Sequence, residues 1–250
     1  MSKVKKVLVF TPTYNEKTNI AIWLEKVFKL DSEFDFLVID DSSTDGTKKI
    51  LVDSSKKESR LFIHTRPLKS GVGSAHAWAI NYAFDFNYTM LITMDADLSH
   101  EPEDIPRLLI AGKEANYVVA TRNKKMGGKN ELPGFRKLWS LGANLLCRTM
   151  LPTGLTEYTT SFRCYDRAAM QVVKNNPPRI DGYSFFIEVT DLMYRSRLSL
   201  KEVPITFHNR HFEESKIPKT QIFRSAATIL QLFLKRFFRR SFSDGIYEVR

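Results

Sequence analysis

In the first half of the chain, short apolar runs alternate with longer stretches whose apolar positions recur every three or four residues. The runs are KVLVFTP, DFLVIDD, LFIHT, MLITMD and YVVAT. Between them the periodicity predicts helices from about Lys17 to Leu30, from about Gly46, from about Gly73 to Phe86 and from Pro102. Strands alternating with helices predict an α/β fold, a mostly parallel central sheet with helices on both faces. Parallel strands all end on one edge, where ligands collect. Each run here ends in polar residues: Thr11 to Glu16, then Asp40 and Asp41, then Arg66 and Lys69, then Asp95 and Asp97, then Thr121 and Arg122. Such repetition predicts a nucleotide pocket. The stretch NKKMGGKNELPGFRK, rich in Gly and Lys, reads as a mobile loop.

The acidic strand ends carry the sharpest chemistry. MLITMD continues into ADLSH, which sets Asp95 and Asp97 on either side of the small Ala96. In an extended segment both carboxylates point the same way and reach one ion. Mg2+ is commonly held by one or two carboxylates, with water and substrate phosphate filling its other positions. A solvated turn leading into EPEDIP is the plainer account of the same residues. Asp40 and Asp41 suit hydrogen bonds from a base or ribose, whereas Thr44, Asp45 and Thr47 suit the start of the next helix. KSGVGSA falls short of a full phosphate-loop spacing and also fits a tight turn needing Gly71 and Gly73. His76 reads as a packed helix residue. Arg122, Arg136, Lys137, Arg210 and Lys216 are individually ordinary surface charges; together they are what a diphosphate and a phosphorylated acceptor require.

Composition changes this picture in a few places. A formal charge of +10 predicts an anionic partner. The acidic residues recur at strand ends while cations crowd FLKRFFRR, an asymmetry that argues against nucleic acid. The tail sets Ile222, Ala226, Ile229, Leu230, Phe233 and Phe237 along one helical face, with Arg224, Lys235, Arg236, Arg239 and Arg240 on its flanks and end. It reads either as a helix docked on the domain or as one lying in the headgroups of an anionic membrane, and Phe beside Arg favours the second. The apolar stretch before Thr11 is short for a signal peptide, and no apolar run approaches the ~20 residues that span a bilayer. Cys147 and Cys164 form no disulfide or zinc pattern and read as core residues of a cytosolic protein.

Taken in order from about Val7 to Lys216, the segments TPTYNEKTNI, VIDDSSTDGT, KSGVGSA, MDADLSHEPEDIP, ATRN, FRK, GYSFFIEVTDLMYRSRLSLKEVPITF and RHFEESK resemble the polyprenol-phosphate hexosyltransferases, especially the dolichol-phosphate mannose synthases, of glycosyltransferase family 2. The resemblance implies a GT-A, Rossmann-like fold, a nucleoside-diphosphate sugar donor and Mg2+ or Mn2+. It assigns Pro12, Tyr14, Glu16, Asp40 and Asp41 to the nucleoside, with Lys69 beside them at its own strand end. Asp95, Ala96 and Asp97 would hold metal and diphosphate; Arg122, Arg136, Arg210 and Lys216 would face donor and acceptor phosphates. Residues 1–217 would form the catalytic domain and 218–250 a C-terminal amphipathic basic helix and tail. Three departures stand out. Ser99 occupies a position where some members place a metal-contacting Gln and others also Ser. EYTTSFR, 157–163, replaces the usual Asp-Pro-x-Ser-Gly-Phe-Arg, and Glu213 replaces a Gly before ESK. The last two fall where sugar and acceptor are expected. The family's transmembrane appendage is missing from the sequence, as in its peripheral subclass.

These readings combine into a metal-dependent, inverting transfer of a hexose, mannose from GDP-mannose preferred, to a polyprenyl phosphate at the cytosolic face of a membrane. A membrane partner subunit is left open. A lipid phosphate, with second pKa about 6, needs no general base. Transfer to a sugar hydroxyl of a glycan or glycolipid would need one, and Asp191 or Glu188 is placed to serve. A noncatalytic protein bound to anionic surfaces is the alternative from outside enzymology.

Overall fold

Apolar side chains on both faces of a strand need cover on both sides, and the order of elements supplies it. The computed structural model describes residues 7–31, 33–131, 134–178, 182, 184–208 and 234. The strands β1 (Val7–Thr13), β2 (Phe34–Asp40), β3 (Leu61–Thr65), β4 (Met90–Thr93) and β5 (Tyr117–Thr121) are joined through α1 (Lys17–Phe28), α2 (Thr47–Ser55), α3 (Val72–Asp85) and α4 (Ile105–Gly112). The expected alternation is present, with small shifts at its boundaries. Alternate strand residues face two separate cores. Leu8, Phe10, Leu37 and Ile39 meet Ala75, Ala79 and Ile80 of α3 on one side. Val9, Phe36 and Val38 meet Ile20, Trp23 and Leu24 of α1 on the other.

The second half of the chain adds β6 (Lys129–Asn130), α5 (Gly134–Met150), β7 (Arg163–Asp166), α6 (Arg167–Asn175), α7 (Ser184–Arg195), β8 (Leu200–Pro204) and β9 (Thr206–Phe207). The main sheet has seven strands in the order β3-β2-β1-β4-β7-β5-β8, and β6 pairs with β9 in a small parallel ribbon. In the main sheet β7 runs antiparallel to both of its neighbours, β4 and β5. Two reversals restore the direction, so β5 and β8 end on the same edge as β1 to β4. The segment expected to be a mobile loop, 123–137, instead contains a helical turn at Lys124–Met126, then β6, then the start of α5. Gly128 allows this fold-back: a Cβ there would lie 2.7 Å from the Arg122 carbonyl carbon and 2.8 Å from the Thr121 oxygen.

Cys147 and Cys164 are buried in opposite cores, each thiol pushed up to about 12 chiefly by burial. They are core residues, as the sequence predicts. The tail helix expected over 218–250 lies outside the described residues except for Leu234. Among the described residues no helix is long and apolar enough to cross a membrane.

The antiparallel strand carries a fully buried arginine. Arg163 stands opposite Thr93 of β4 and Val119 of β5, and no carboxylate among the described residues forms a salt bridge with it. Its guanidinium donates instead to the carbonyls of Thr160 at 2.8 Å, Tyr158 at 2.7 Å and Phe186 at 3.0 Å, to Thr190 Oγ1 at 2.8 Å, and to the Tyr117 hydroxyl. Burial pulls its pKa down to about 10, which leaves it a cation at neutral pH. One side chain thus ties β5, β7, α7 and the 158–160 turn together. Arg163→Leu should destabilise the fold by at least about 3 kcal/mol, because each orphaned buried acceptor costs about 1–3 kcal/mol. Urea unfolding measures this, and a loss below about 1 kcal/mol would show that the carbonyls find other donors.

Candidate active site

The carboxyl ends of β1 and β2 meet in a mutual capping arrangement. Thr13 Oγ1 donates to Asp40 Oδ1 at 3.1 Å, and Ser43 donates to Asp40 through its hydroxyl at 2.5 Å and its backbone at 3.0 Å. Asp45 Oδ2 accepts Lys17 N at 2.9 Å, and its Oδ1 accepts Thr47 N at 3.0 Å and Thr47 Oγ1 at 2.6 Å. One carboxylate therefore serves the first turns of both α1 and α2. Burial opposes its ionisation, but the bonds from Thr47 and Lys17 hold its carboxyl below the usual range. Asn15, at φ 55°, accepts Thr44 N through Oδ1 and donates its own backbone N to Ser43 Oγ, both at 2.8 Å. Glu16 stands at the head of α1 and accepts Asn19 Nδ2 at 2.7 Å.

This geometry divides the expected nucleoside residues. Asp40 is fully buried and engaged by Thr13 and Ser43, which fixes the shape of the loop. Asp41 is buried and paired with Arg66, whose other nitrogens reach Ser74 Oγ at 2.6 Å and the Gly71 carbonyl at 3.0 Å. Gly71 has φ 89°, a conformation that favours glycine, so KSGVGSA is an anchored turn into α3. Arg66 was visible as a strand-end cation but its role as the tie between Asp41 and this turn was not. Lys69 Nζ lies 3.9 Å from the centre of the Tyr14 ring, which brings two expected donor residues together beside the half-buried Pro12. His76 is buried among Phe10, Phe185 and Phe186, and burial lowers its pKa to about 3, so it is a neutral core residue.

After β4 the chain bends. The extended geometry expected for Asp95 to Asp97 is not observed: the strand ends at Thr93, and residues 96–99 form a bend in which Ser99 N donates to Asp97 Oδ1 at 3.0 Å. Leu98 sits at φ 60°, strained for a branched side chain, and is held there by burial in the core under α4. His100 closes the bend, 3.4 Å from Asp95 N through Nδ1 and 3.3 Å from Thr160 Oγ1 through Nε2. Asp95, Ala96 and Asp97 thus share one short bend at the sheet edge. No group of three or more His, Cys, Asp or Glu side chains gathers among the described residues. Two carboxylates and the buried Ser99 hydroxyl, which has no hydrogen-bond partner, are hard oxygen donors. That set fits Mg2+ or Mn2+ completed by water and phosphate, and it does not fit a closed zinc site.

Across from the bend stands Arg122, and here the structure adds a partner that the sequence did not reveal. Its guanidinium is almost buried and bonded to Glu157 through Nε at 3.0 Å and Nη2 at 2.9 Å, with further bonds to Ser140 and Thr159. Glu157 also accepts Asn144 Nδ2 and Thr159 N. A charge neutralised in this way shapes the 157–160 turn. The sequence flagged that turn as a departure without revealing its partner. Neighbouring Glu202 accepts Thr156 N and Glu157 N at 2.7 Å, and burial pushes its carboxyl up. Asp191, expected as a base for a hydroxyl acceptor, is buried and accepts Arg195 Nε at 2.9 Å on its own helix; Glu188 is half-buried one turn earlier. Arg136 and Lys137 fall within α5, but their side chains, like Arg210, Lys216 and Glu213, lie outside the described residues.

Phe207 links the two sides. It bridges to His100, whose ring is 5.2 Å away, and the Arg122 guanidinium lies 4.7 Å over its ring.

Comparison with known proteins places this arrangement. The family described as Glycosyl transferase family 2 matches residues 8–173. An undecaprenyl-phosphate mannosyltransferase of Micrococcus luteus is 33% identical over 212 residues, 85% of this chain and 87% of its own. A polyprenol monophosphomannose synthase of Mycolicibacterium smegmatis is 31% identical over 220 residues, 87% and 83% of the two chains. Among solved structures, glucosyl-3-phosphoglycerate synthase of Mycobacterium tuberculosis with Mn2+, UDP-glucose and phosphoglyceric acid superimposes with TM-score 0.68 at 18% identity, covering 92% of this chain and 80% of that one. The same protein with Mg2+ and UDP gives 0.65 at 16% identity, covering 93% and 79%. These likenesses establish the GT-A fold expected above.

Burial raises the Glu157 carboxyl, but Arg122, Thr159 and Asn144 outweigh it and hold the pKa below the ordinary glutamate value of 4.5. A folded-state pKa below the unfolded one stabilises the fold above the unfolded value, and this contribution is lost as pH falls from 4.5 through the folded pKa. Glu157→Gln should flatten that part of the stability curve below pH 4.5. It should also weaken the fold at neutral pH, where Arg122 loses its charge partner. Urea unfolding across the pH range reads both, and an unchanged acid slope would remove Glu157 from the account.

Proposed function

Because the chain belongs to glycosyltransferase family 2, we propose that this glycosyltransferase moves a hexose, mannose from GDP-mannose preferred, onto a polyprenyl phosphate with inversion and with Mg2+ or Mn2+. The observation that carries the reading is the bend holding Asp95 and Asp97 at the sheet edge, in a chain whose relatives over most of both lengths are mannosyltransferases named for polyprenyl phosphate acceptors. Their names are the support for acceptor and sugar. Membership of a glycosyltransferase family sets aside the noncatalytic alternative.

In this reading Pro12, Tyr14, Glu16, Asp41 and Lys69 surround the nucleoside, with Asp40 shaping their loop. Asp95 and Asp97 would hold the cation, which when bound would supply charge neutralisation for the leaving diphosphate. An oxygen of the lipid phosphate forms a bond to the anomeric carbon as the carbon–diphosphate bond breaks on the opposite face, its electron pair leaving with the nucleotide. The acceptor is already ionised at neutral pH, since a phosphate monoester has a second pKa of about 6, so no side chain has to remove a proton. Asp191, committed to Arg195, is not required as a base. The chain's contribution is orientation and charge placement. With Arg122 bonded to Glu157, acceptor charge falls to Arg136, Arg210 and Lys216. Residues 1–217 act as the catalytic domain, and the basic tail from 218 lies against the anionic surface in which the acceptor is dissolved. The partner set of this proposal is donor, lipid acceptor and membrane, with no nucleic acid.

Calorimetric titration of GDP, UDP and CDP with Mn2+ or Mg2+ tests the donor site. Metal-dependent binding of GDP should weaken by at least about tenfold in Asp97→Ala, as expected when a metal site is perturbed. Absence of binding by all three nucleotides to folded protein would overturn the reading, and metal-dependent UDP binding alone would move the donor to UDP-sugars.

A further inference from the structure

A helix packed on a domain ordinarily turns its leucines in and its polar residues out, and α5 does the reverse along part of its length. Ser140 and Asn144 face inward: Ser140 Oγ accepts Arg122 Nη2 at 3.2 Å, and Asn144 Nδ2 donates to Glu157 Oε1 at 3.0 Å. Cys147 continues that face into the core. Leu141 and Leu145, each one residue further on, point away from it and are 55% and 61% exposed. Gly142 and Arg148 share the exposed arc, and a Cβ on Gly142 would meet nothing within 4 Å, so this side of the helix is open. Leucines paired at i and i+4 on an open helix face mark a contact surface.

The charge around the stripe identifies what it meets. From Asn123 to Met150 the sequence carries six Lys or Arg and one acid, Glu131. Lys124, Lys125, Lys129 and Arg148 are exposed, and so is Met126. A second copy of this chain would set the same cations face to face, and the segment 218–250 would bring Arg224, Lys235, Arg236, Arg239 and Arg240 against them. An anionic bilayer suits both parts of the surface, with the leucines at the boundary of the acyl chains and the cations at the lipid phosphates. We propose that the outer face of α5, through Leu141, Leu145 and Arg148, lies in the headgroup region of an anionic bilayer and sets the strand-end edge beside Arg122 against the surface that holds the acceptor. The lipid acceptor gives the contact its purpose, so this rests on the transferase reading above. It adds a second point of attachment to the basic tail, and two points orient a domain where one only tethers it.

The full chain with Leu145→Cys, labelled with an environment-sensitive fluorophore, tests the contact. Cys147 and Cys164 are buried with their thiols pushed up to about 12, so the label goes to the new site. With phosphatidylglycerol vesicles the emission should shift to the blue and iodide quenching should fall at least about threefold, while phosphatidylcholine vesicles should change neither. The same label at Ile110→Cys should stay quenched throughout, because Ile110 is equally exposed at 61% but stands on α4, which packs on the opposite core. Leu141→Ser combined with Leu145→Ser should leave the urea midpoint in place, as expected of exposed side chains. It should lower turnover of polyprenyl phosphate held in phosphatidylglycerol vesicles at least about fivefold, while turnover in detergent micelles stays within about twofold. A label at 145 already shielded without vesicles would overturn the proposal, since the chain's own tail or a second copy then covers the stripe. Vesicle binding with 145 still quenched would overturn it too and leave the tail as the anchor, and equal shielding at 110 would do so by showing adsorption without orientation. Should the parent protein transfer nothing to polyprenyl phosphate, the acceptor assignment fails, and the label at 145 still decides the contact.

Discussion

A guanidinium sealed from water must find its hydrogen bonds among backbone carbonyls and hydroxyls when no carboxylate accompanies it, and Arg163 does so at the centre of this molecule. Its partners come from β5, the 158–160 turn and α7, so the strand that bears it can occupy only one place in the sheet. That place lies between β4 and β5. Reversal of β7 there lets the turn before it arrive at the edge where the parallel strands end. Thr93 Oγ1 accordingly donates to the Ser161 carbonyl at 2.5 Å, and Thr160 reaches His100 of the acidic bend. The edge that carries the candidate site is therefore assembled from both halves of the chain, and its geometry is inherited from a buried cation.

Charge placement around that edge is economical. Acidic residues that look alike in sequence have separate duties: Asp45 steadies two helix starts, Asp40 a loop, Asp41 the arginine that fastens the turn into α3, and Glu157 the arginine after β5. Asp95 and Asp97 are left in the bend. Glu157 clarifies why the EYTTSFR stretch differs from the family pattern without disturbing the fold: its carboxylate is fully integrated with Arg122, Asn144 and Thr159. The consequence is that Arg122 is already paired with Glu157 at the sheet edge.

Much of the fold was legible because its signals are local. Continuous apolar runs and helical spacing identify β1 to β5 and α1 to α4, and the polar strand ends follow from parallel geometry. β7 was not legible from periodicity, since RCYD is short and its direction is set by the long-range contacts of Arg163. β6 and β9 are shorter still and exist only as partners of one another. At the site, residue identity pointed to the right places, but partners did not show in sequence. Asp41 and Arg66, or Arg122 and Glu157, are separated along the chain, and only folding reveals that each has consumed the other's charge. At Asp95–Ser99 the sequence offered a turn only as the alternative to an extended segment, since nothing about Leu98 signals a positive φ, which tertiary burial imposes.

The sheet is also finished out of the order in which it is synthesised. Its sequence of strands places β7 between two that were made earlier, so a growing chain that has reached Thr121 carries β4 with one edge open and β5 with neither of its strand partners. Both strands then offer unpaired backbone groups, the condition under which edges recruit foreign partners. Closure requires a long loop through α5 before Arg163 emerges, and long loops bring ends together slowly. The half of the sheet built from β1 to β4 can thus be complete on the ribosome while the other half is still open, and the interval before β7 arrives is when this chain most needs protection from its neighbours.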